Sequence, residues 1–350
     1  MATVLEGSAT GAATLPGVSD ALDTFACAQP WHDLIQRLYG FTVTSLTTHD
    51  ADGALTGLLP VCVLSSPLTG RRIVSLPFSD TCPLLAADDA AANDLIDQAV
   101  ELAESHRARY LELRTGQHPV LARRADFAPS EVYAQWRVAL NPDTDALFKA
   151  LRDPVRRQVR KARKLGVSVR FARTREEVRS YHQLHLLTRS KKHGMPAQSS
   201  RFFLDLWDTF APEGEVQVLL AEYEGLPIGG MVLVASGAIV RYAYGASDER
   251  YLRLAPNNLL MWEAIAWAAA HGYRYFDMGR TARDNHGLME FKRGWGASEE
   301  PLPYYYSPRV AGLASTSEQS WKYRALTASW KRLPLPVSEW LGSALYKHLG

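Results

Sequence analysis

Apolar residues fall into two rhythms along this chain. Short alternating runs at Phe41 to Leu46, Ala54 to Leu64 and Arg72 to Leu76 predict strands, with Asp52-Gly53 turning between the first two. Leu95, Ala99, Leu102 and Ala103 then recur at helical spacing within Asn93 to His106, and a strand-like Tyr110 to Leu113 follows. The second half repeats the theme. Val167 to Phe171 reads as a strand, and Glu176 to Arg189 and Arg201 to Phe210 as helices. Strands are expected at Val216 to Tyr223, Ile228 to Ala235, Ala238 to Tyr244 and Tyr275 to Met278, with helix Asn257 to His271 before the last. That order is an α/β pattern built on mixed sheets.

Residue identities repeat as well as patterns. Placing Asn93 on Asn258 also pairs Leu95 with Leu260, Ala99 with Ala264, Ala103 with Ala268, His106 with His271 and Glu112 with Asp277. A neighbouring offset pairs Gly53 with Gly225 and Gly57 with Gly229. Self-similarity of this kind indicates a duplicated unit. Residues 1–20, rich in Ala, Gly, Ser and Thr, are expected to be a disordered leader. Residues 21–140 form the first expected domain, 141–310 the second and 311–350 a C-terminal tail, with the linker near Asn141-Pro142.

Composition narrows the class. At 350 residues, 47% hydrophobic and 22% charged, the chain has enough apolar material for more than one core. Its three cysteines are far apart and form no C-x-x-C pair, so neither a disulfide framework nor a cysteine zinc site is indicated. No apolar run approaches the roughly 18 residues a membrane span requires. The N-terminus has no signal-peptide pattern, and a cytoplasmic location is expected.

Charge is informative in its distribution. A helix expected over Thr144 to Leu165 carries an apolar face of Leu147, Leu151, Val155, Val159 and Ala162. Between Lys149 and Arg175 stand eleven Lys or Arg and one acid, Asp153. Arg156, Arg160 and Lys164 share a face and are candidates for binding a polyanion; a solvated face is the alternative. A second candidate is Arg189 to Pro196, whose Gly194-Met195-Pro196 loop opens onto a Ser-capped helix. The third is Tyr273-Arg274-Tyr275-Phe276-Asp277-Met278-Gly279-Arg280, followed by Gly287 to Gly296. Asp277 and Arg280 lie near the C-terminal end of a buried-type strand, where open α/β sheets usually place ligands, and Lys292 and Arg293 come one short loop later. A carboxylate and three cations there suit orientation of an amine and stabilisation of an oxyanion. His182 and His185, spaced i, i+3, have no third ligand at metal spacing and read as packing residues.

The phrases "YFDMGR" and "GLMEFKRGWGA", with "RRQVRKARKLGVSVR", "HGMPAQSSRFF" and "NNLLMWEAIAWAAAHGY", resemble the FemAB-related proteins of the GNAT acyltransferase superfamily. The resemblance runs over about Phe25 to Tyr306. It implies two tandem GNAT-like domains, the second catalytic, and transfer of an aminoacyl or acyl group from an activated ester to an amine of a cell-wall or cell-surface precursor. It gives Lys292 the role of stabilising the tetrahedral transition state, with Asp277 beside it, and places Arg189, Lys192 and Arg201 in the region that meets precursor phosphates. His193, Tyr244, Arg280, Arg293 and Trp295 complete the expected substrate-binding set. No resident cofactor or metal is expected; the donor is a co-substrate, aminoacyl-tRNA or acyl-CoA. The usual coenzyme A fingerprint, R/Q-x-x-G-x-G/A, is replaced by Arg250 to Pro256 without glycine, which weakens coenzyme A binding as a reading. No coiled-coil arm is inserted, so any tRNA contact comes from the body of the protein. Two rival readings are an acyl-CoA-dependent acyltransferase acting on an exopolysaccharide and a non-catalytic precursor-binding assembly factor.

The tail mixes indoles, basic groups and leucines: Trp321, Lys322, Tyr323, Arg324, Trp330, Lys331, Arg332, Leu333, Trp340 and Tyr346 are among them. Two readings fit. The tail packs as a helix pair on the body of the protein, or it lies on the inner, anionic face of the cell membrane.

Overall fold

The computed structural model describes residues 22–66, 70–308 and 321–346. The expected leader lies outside the described residues, as do residues 309–320 of the tail. The chain divides into two compact units. The first takes residues up to Tyr133 and then Pro301–Ala314; the second takes Ala134–Glu300 and Ser315–Leu349. The chain therefore passes from one unit to the other inside a strand, upstream of the Asn141-Pro142 linker expected from sequence, and residues 301–308 belong to the first unit.

The first unit opens with helix α1 (Gln29–Tyr39) and continues through strands β1 (Thr42–His49), β2 (Leu55–Ser66), β3 (Gly70–Ser75) and β4 (Leu85–Ala86). Helix α2 (Asp89–Ser105), strand β5 (Leu111–Leu113), helix α3 (Pro119–Arg123) and strand β6 (Ala128–Ala139) follow. Strands β1, β2 and β3 are antiparallel neighbours, and α2 then carries the chain over to β5, which pairs parallel to β3. A core of Leu59, Val61, Ile73, Leu95, Ile96, Ala99 and Leu111 lies where α2 covers this sheet.

The second unit holds α4 (Thr144–Ala150), α5 (Asp153–Lys164), β7 (Ser168–Phe171), α6 (Arg175–Leu187) and α7 (Ser200–Phe210). Three strands follow, β8 (Val216–Tyr223), β9 (Leu226–Ser236) and β10 (Ile239–Ser247), and then α8 (Pro256–Ala270), β11 (Tyr275–Ala282) and α9 (His286–Gly294); β12 (Ser298–Ser307) returns the chain to the first unit at Pro301. Strand order in this unit is β6-β11-β10-β9-β8-β7. Here too an antiparallel trio, β8, β9 and β10, is followed by a helix and a strand parallel to the last member.

Backbone pairing repeats the identities read from sequence. Glu112 stands opposite Val74, and its counterpart Asp277 stands opposite Arg241. The glycine pairs have a packing reason. A Cβ on Gly57 would lie 2.8 Å from Leu95 Cδ1, and one on Gly229 would lie 3.2 Å from Leu260 Cδ1. In each unit a glycine strand position makes room for the same leucine of the crossover helix. Gly53 and Gly225 hold left-handed turn conformations, φ +81° and +78°, that a side chain would strain.

The basic segment is two helices rather than one. Leu151 and Arg152 adopt extended backbone, and Pro154 at the start of α5 fits an N-terminal first turn but would break a continuous helix. The apolar face survives the break, with Leu151, Val159 and Ala162 buried in the core of this unit. The last two elements, α10 (Trp321–Arg332) and α11 (Leu335–Tyr346), belong to the second unit. The side chains of residues 321–326 lie outside the described residues, and so does Lys347. No described helix is long and apolar enough to cross a membrane.

Candidate active site

Strands β10 and β11 pair from Ile239 and Tyr275 as far as Arg241 and Asp277. Just beyond, β10 carries a bulge between Tyr242 and Tyr244, and Gly279 of β11 takes a left-handed conformation at φ +73°. Bulges re-aim side chains next to active sites. Asp277 is 1% exposed and is held from two sides: Gln135 Nε2 donates to Oδ2 at 2.6 Å, and the Gly279 N–H donates to Oδ1 at 2.7 Å. Lys292, 4% exposed, comes from α9. Its Nζ donates to the Gly279 carbonyl at 2.8 Å and to the Arg280 carbonyl at 3.2 Å. One residue thus links carboxylate and ammonium: Asp277 takes the N–H of Gly279, and Lys292 takes its C=O. Burying a lysine is costly unless its donors are satisfied, and these carbonyls explain how the ammonium is held at the end of β11.

A second group forms at the end of α6. The helix runs into a π-helical turn, Thr188–His193, closed by Gly194 at φ +66°. The N–H of Met195 donates to the Arg189 carbonyl at 2.9 Å, and Arg189 Nε donates to the Pro196 carbonyl at 3.1 Å, so the loop closes on Arg189. π-turns of this kind are frequent at functional sites. His182 and His185 sit under the loop. Their Nε2–H groups donate to Gln198, to its backbone carbonyl at 3.1 Å and to Oε1 at 2.8 Å respectively. Burial pushes the His185 imidazole down to about 3, so it is neutral near pH 7. Both histidines are packing residues as expected. Among the described residues no group of His, Cys, Asp or Glu has a metal-binding arrangement.

Residues 149–293 match the family described as an acetyltransferase (GNAT) domain. The lipid II:glycine glycyltransferase of Staphylococcus epidermidis is 35% identical over 82 residues, 22% of this chain and 20% of that protein. Its Staphylococcus aureus counterpart is 32% identical over 79 residues, 21% and 19% of the two chains. The chain thus spans about a fifth of the length of these curated relatives. Among solved structures, FemX superposes with TM-score 0.65 and 17% identity, covering 84% of this chain and 93% of that one. A tandem GNAT protein from the clavulanic acid biosynthesis pathway gives TM-score 0.53 and 16% identity, covering 85% and 91%. Residues 149–293 thus carry a match to a GNAT domain, and part of the chain is similar to FemAB-related proteins. The structural likenesses establish the mixed α/β tandem GNAT fold.

The expected site residues do not all converge. Asp277, Lys292 and the backbone of Arg280 gather at the end of β11, and Arg189 lies on the π-turn that follows α6. Tyr244 is half-buried, with the rings of His185, Phe202 and Phe203 edge-on around it. Lys192 is half-buried and His193 exposed on the π-turn. Trp295 corrects the expectation: at 1% exposure it is a core side chain and lines no ligand surface. Arg293 lies over the Trp136 ring at 5.1 Å and pairs with Glu290 and Glu299, a structural position. Arg201 sits beside Asp205 at 3.5 Å with its side chain 66% exposed.

The basic segment also changes on folding. Acids distant in sequence neutralise much of it: Glu290 pairs with Arg152, Glu263 with Arg163, Glu177 and Glu222 with Arg170, and Asp208 with Arg175. Arg156 binds Asp153 and the Lys149 carbonyl, and Arg160 stacks on Phe148. Of the expected trio, Arg160 and Lys164 remain exposed, Arg160 over the Phe148 ring, and Lys164 is joined on α5 by Arg157 and Lys161 at i, i+4, i+7. Sequence reasoning missed Gln135 because β6 was not foreseen, and its partner Asp277 is 142 residues away. No local signal announces such a pair.

Proposed function

We propose that this chain transfers an aminoacyl group from an activated ester to an amine on a cell-wall precursor. The observation that carries the reading is the buried Lys292 ammonium, held at the end of β11 within the segment that matches the GNAT domain. The relatives named lipid II:glycine glycyltransferase support this acceptor class. In the step itself the acceptor nitrogen attacks the ester carbonyl carbon, the carbonyl oxygen becomes an oxyanion, and the ester C–O bond breaks as the oxygen leaves. The proton from nitrogen goes to the departing oxygen. Lys292 stabilises the oxyanion, because a positive charge in a dry site acts at low effective dielectric. Asp277 is too buried to receive a proton from substrate directly; it positions Gly279, which in turn holds Lys292.

An aminoacyl-tRNA donor fits the chain better than acyl-CoA. Residues Glu249–Leu254 form a 3-10 helix where the glycine-rich fingerprint is missing, and their environment spends backbone donors internally. The N–H groups of Arg250, Tyr251, Ala255 and Asn258 all donate to carbonyl or carboxylate oxygens of the same segment. The exposed Arg157, Lys161 and Lys164 row suits a phosphate backbone. This reading includes peripheral membrane contact through α11, which is supported by the exposure of Trp340 (70%) and Val337, with the exposed cations Lys331 and Arg332 at the end of α10. The purified full chain should transfer radiolabelled amino acid from aminoacyl-tRNA to a lipid-linked cell-wall precursor and leave acyl-CoA unused. Turnover of acyl-CoA, with none from aminoacyl-tRNA, would overturn the donor assignment.

A further inference from the structure

Asp277 stands on the middle one of three strands, since β11 lies between β6 and β10 in the sheet. Trp136, Val240, Phe276 and Met278 carry one face of these strands into the apolar core of the second unit. Their immediate neighbours Gln135, Arg241 and Asp277 therefore take the other face by strand alternation. All three are buried, at 6%, 8% and 1% exposure, and burial of polar groups is costly unless they are bonded. Arg241 is in register with Asp277 on β10, and from β6 Gln135 Nε2 donates to Asp277 Oδ2 at 2.6 Å. From Asp277 the contacts run in series to the ammonium. Its Oδ1 accepts the Gly279 N–H at 2.7 Å, and the Gly279 carbonyl accepts from Lys292 Nζ at 2.8 Å. Gly279 holds φ +73°, a conformation glycine populates about as readily as its mirror image, so the residue does not choose it unaided. The bond to Asp277 makes the choice. A carboxylate turns easily about its last torsion, and Gln135 fixes that turn by taking Oδ2, which leaves Oδ1 on the Gly279 N–H.

We propose that Gln135 is a positioning residue for the transfer: by orienting the Asp277 carboxylate it selects the Gly279 conformation whose carbonyl holds the Lys292 ammonium for the oxyanion. The inference rests on the transfer reading for the role of Lys292. Gln135 lies outside residues 149–293, the segment that matches the GNAT domain, and outside the motifs singled out in the sequence. Its chemistry suits the task. A primary amide donates a hydrogen bond and carries no charge, so it fixes the carboxylate without neutralising Asp277 or repelling Lys292. No bond to substrate forms or breaks through Gln135; it acts through Asp277 and Gly279.

Two variants of the full chain test this, both keeping a polar side chain at the position. Gln135→Glu puts an isosteric carboxyl against Asp277. Like charges that close raise the pKa of the pair, and toward acid pH the two carboxyls share one proton. In that state the introduced group donates to Asp277 as the amide does; as pH rises through the raised pKa the proton leaves and the carboxylates repel. Arg241 faces Asp277 in parent and variant alike, so its charge is common to both. Measured against the parent at the same pH, Gln135→Glu should therefore match kcat at acid pH. It should then lose about tenfold to a hundredfold as pH rises, the scale of a catalytic group misplaced by about 1 Å. KM should stay within about twofold, a split that general destabilisation does not give. Gln135→Asn withdraws the donor by one methylene and should lower kcat at every pH. A readout free of turnover is the Gly279 amide proton in protein carrying isotope-labelled glycine: its bond to a carboxylate holds it downfield, and in Gln135→Asn it should move upfield and exchange faster with solvent. A folded Gln135→Glu protein with the parent's kcat and pH profile overturns the proposal, as does a Gly279 signal unmoved in Gln135→Asn. If the parent transfers no aminoacyl group while the Gly279 signal still follows Gln135, the positioning stands and the transfer reading falls.

Discussion

Lys292 and Asp277 act on the same glycine, and their substitution should separate chemistry from packing. Lys292→Ala removes a transition-state donor and should lower kcat by about 10² to 10³, with the far-ultraviolet spectrum unchanged. A variant that keeps more than half its turnover would remove the lysine from the mechanism. Asp277 and Gln135 also matter to packing, because a buried carboxylate deprived of a partner bears the desolvation cost alone. Gln135→Leu should therefore lower stability by about 1 to 3 kcal/mol in chemical denaturation. Glycines give a sharper contrast. A Cβ at position 57 would meet Thr48 Oγ1 at 2.5 Å and Leu95 Cδ1 at 2.8 Å, whereas one at 229 would meet Leu260 Cδ1 at 3.2 Å. Gly57→Ala should cost about 1 to 3 kcal/mol and Gly229→Ala visibly less, as compared by thermal denaturation.

At the scale of elements, α6 and α7 enclose a histidine whose titration bears on stability. His185 has its pKa pushed down to about 3 by burial, with Arg189 and His182 adding to the effect. The unfolded chain therefore takes up a proton near pH 6.5 that the folded chain refuses, so stability is full above that pH and falls as pH drops toward 3. Burial lowers His32, His118 and His182 too, with the same sign. Urea midpoints measured between pH 7 and 4 should fall, and His185→Gln should flatten the slope; an unchanged slope would place the acid sensitivity elsewhere. Helix α5 makes a different kind of claim, since its charge is exposed. Replacing Arg157, Lys161 and Lys164 by Gln should weaken RNA binding and lower the salt slope by about 0.7 to 0.9 for each phosphate no longer neutralised. The equivalent change at Arg156 and Arg160 should act less on binding, because those side chains are engaged with Asp153 and Phe148.

For the whole molecule, the tail has two faces with two expected consequences. Its inner face, Ser338, Gly342 and Tyr346, packs on the second unit, while Trp340 and Val337 face outward. The full chain should co-sediment with anionic vesicles more than with neutral ones, Trp340→Ser with Val337→Ser should lower binding to both, and Lys331→Gln with Arg332→Gln should reduce the difference between them. Unchanged sedimentation of both variants would remove the tail from membrane contact. Sequence by itself determined most strands and helices between Phe41 and Met278, though not β6 or the break between α4 and α5, together with the repeated unit and the FemAB-like phrases around Asp277 and Lys292. These are local or periodic properties: a strand face, a helix face and a left-handed glycine are each written in a few neighbouring residues. Only tertiary structure decided which charges remain available. The eleven cations against one acid between Lys149 and Arg175 look like an open basic surface, yet Glu290, Glu263, Glu222 and Asp208 arrive from distant segments to pair with four of them. The same holds for Trp295, which reads as a binding residue in its motif and folds into the core. A charge or an aromatic ring has no function until its partners are known, and partners far apart in sequence meet only when the chain has folded.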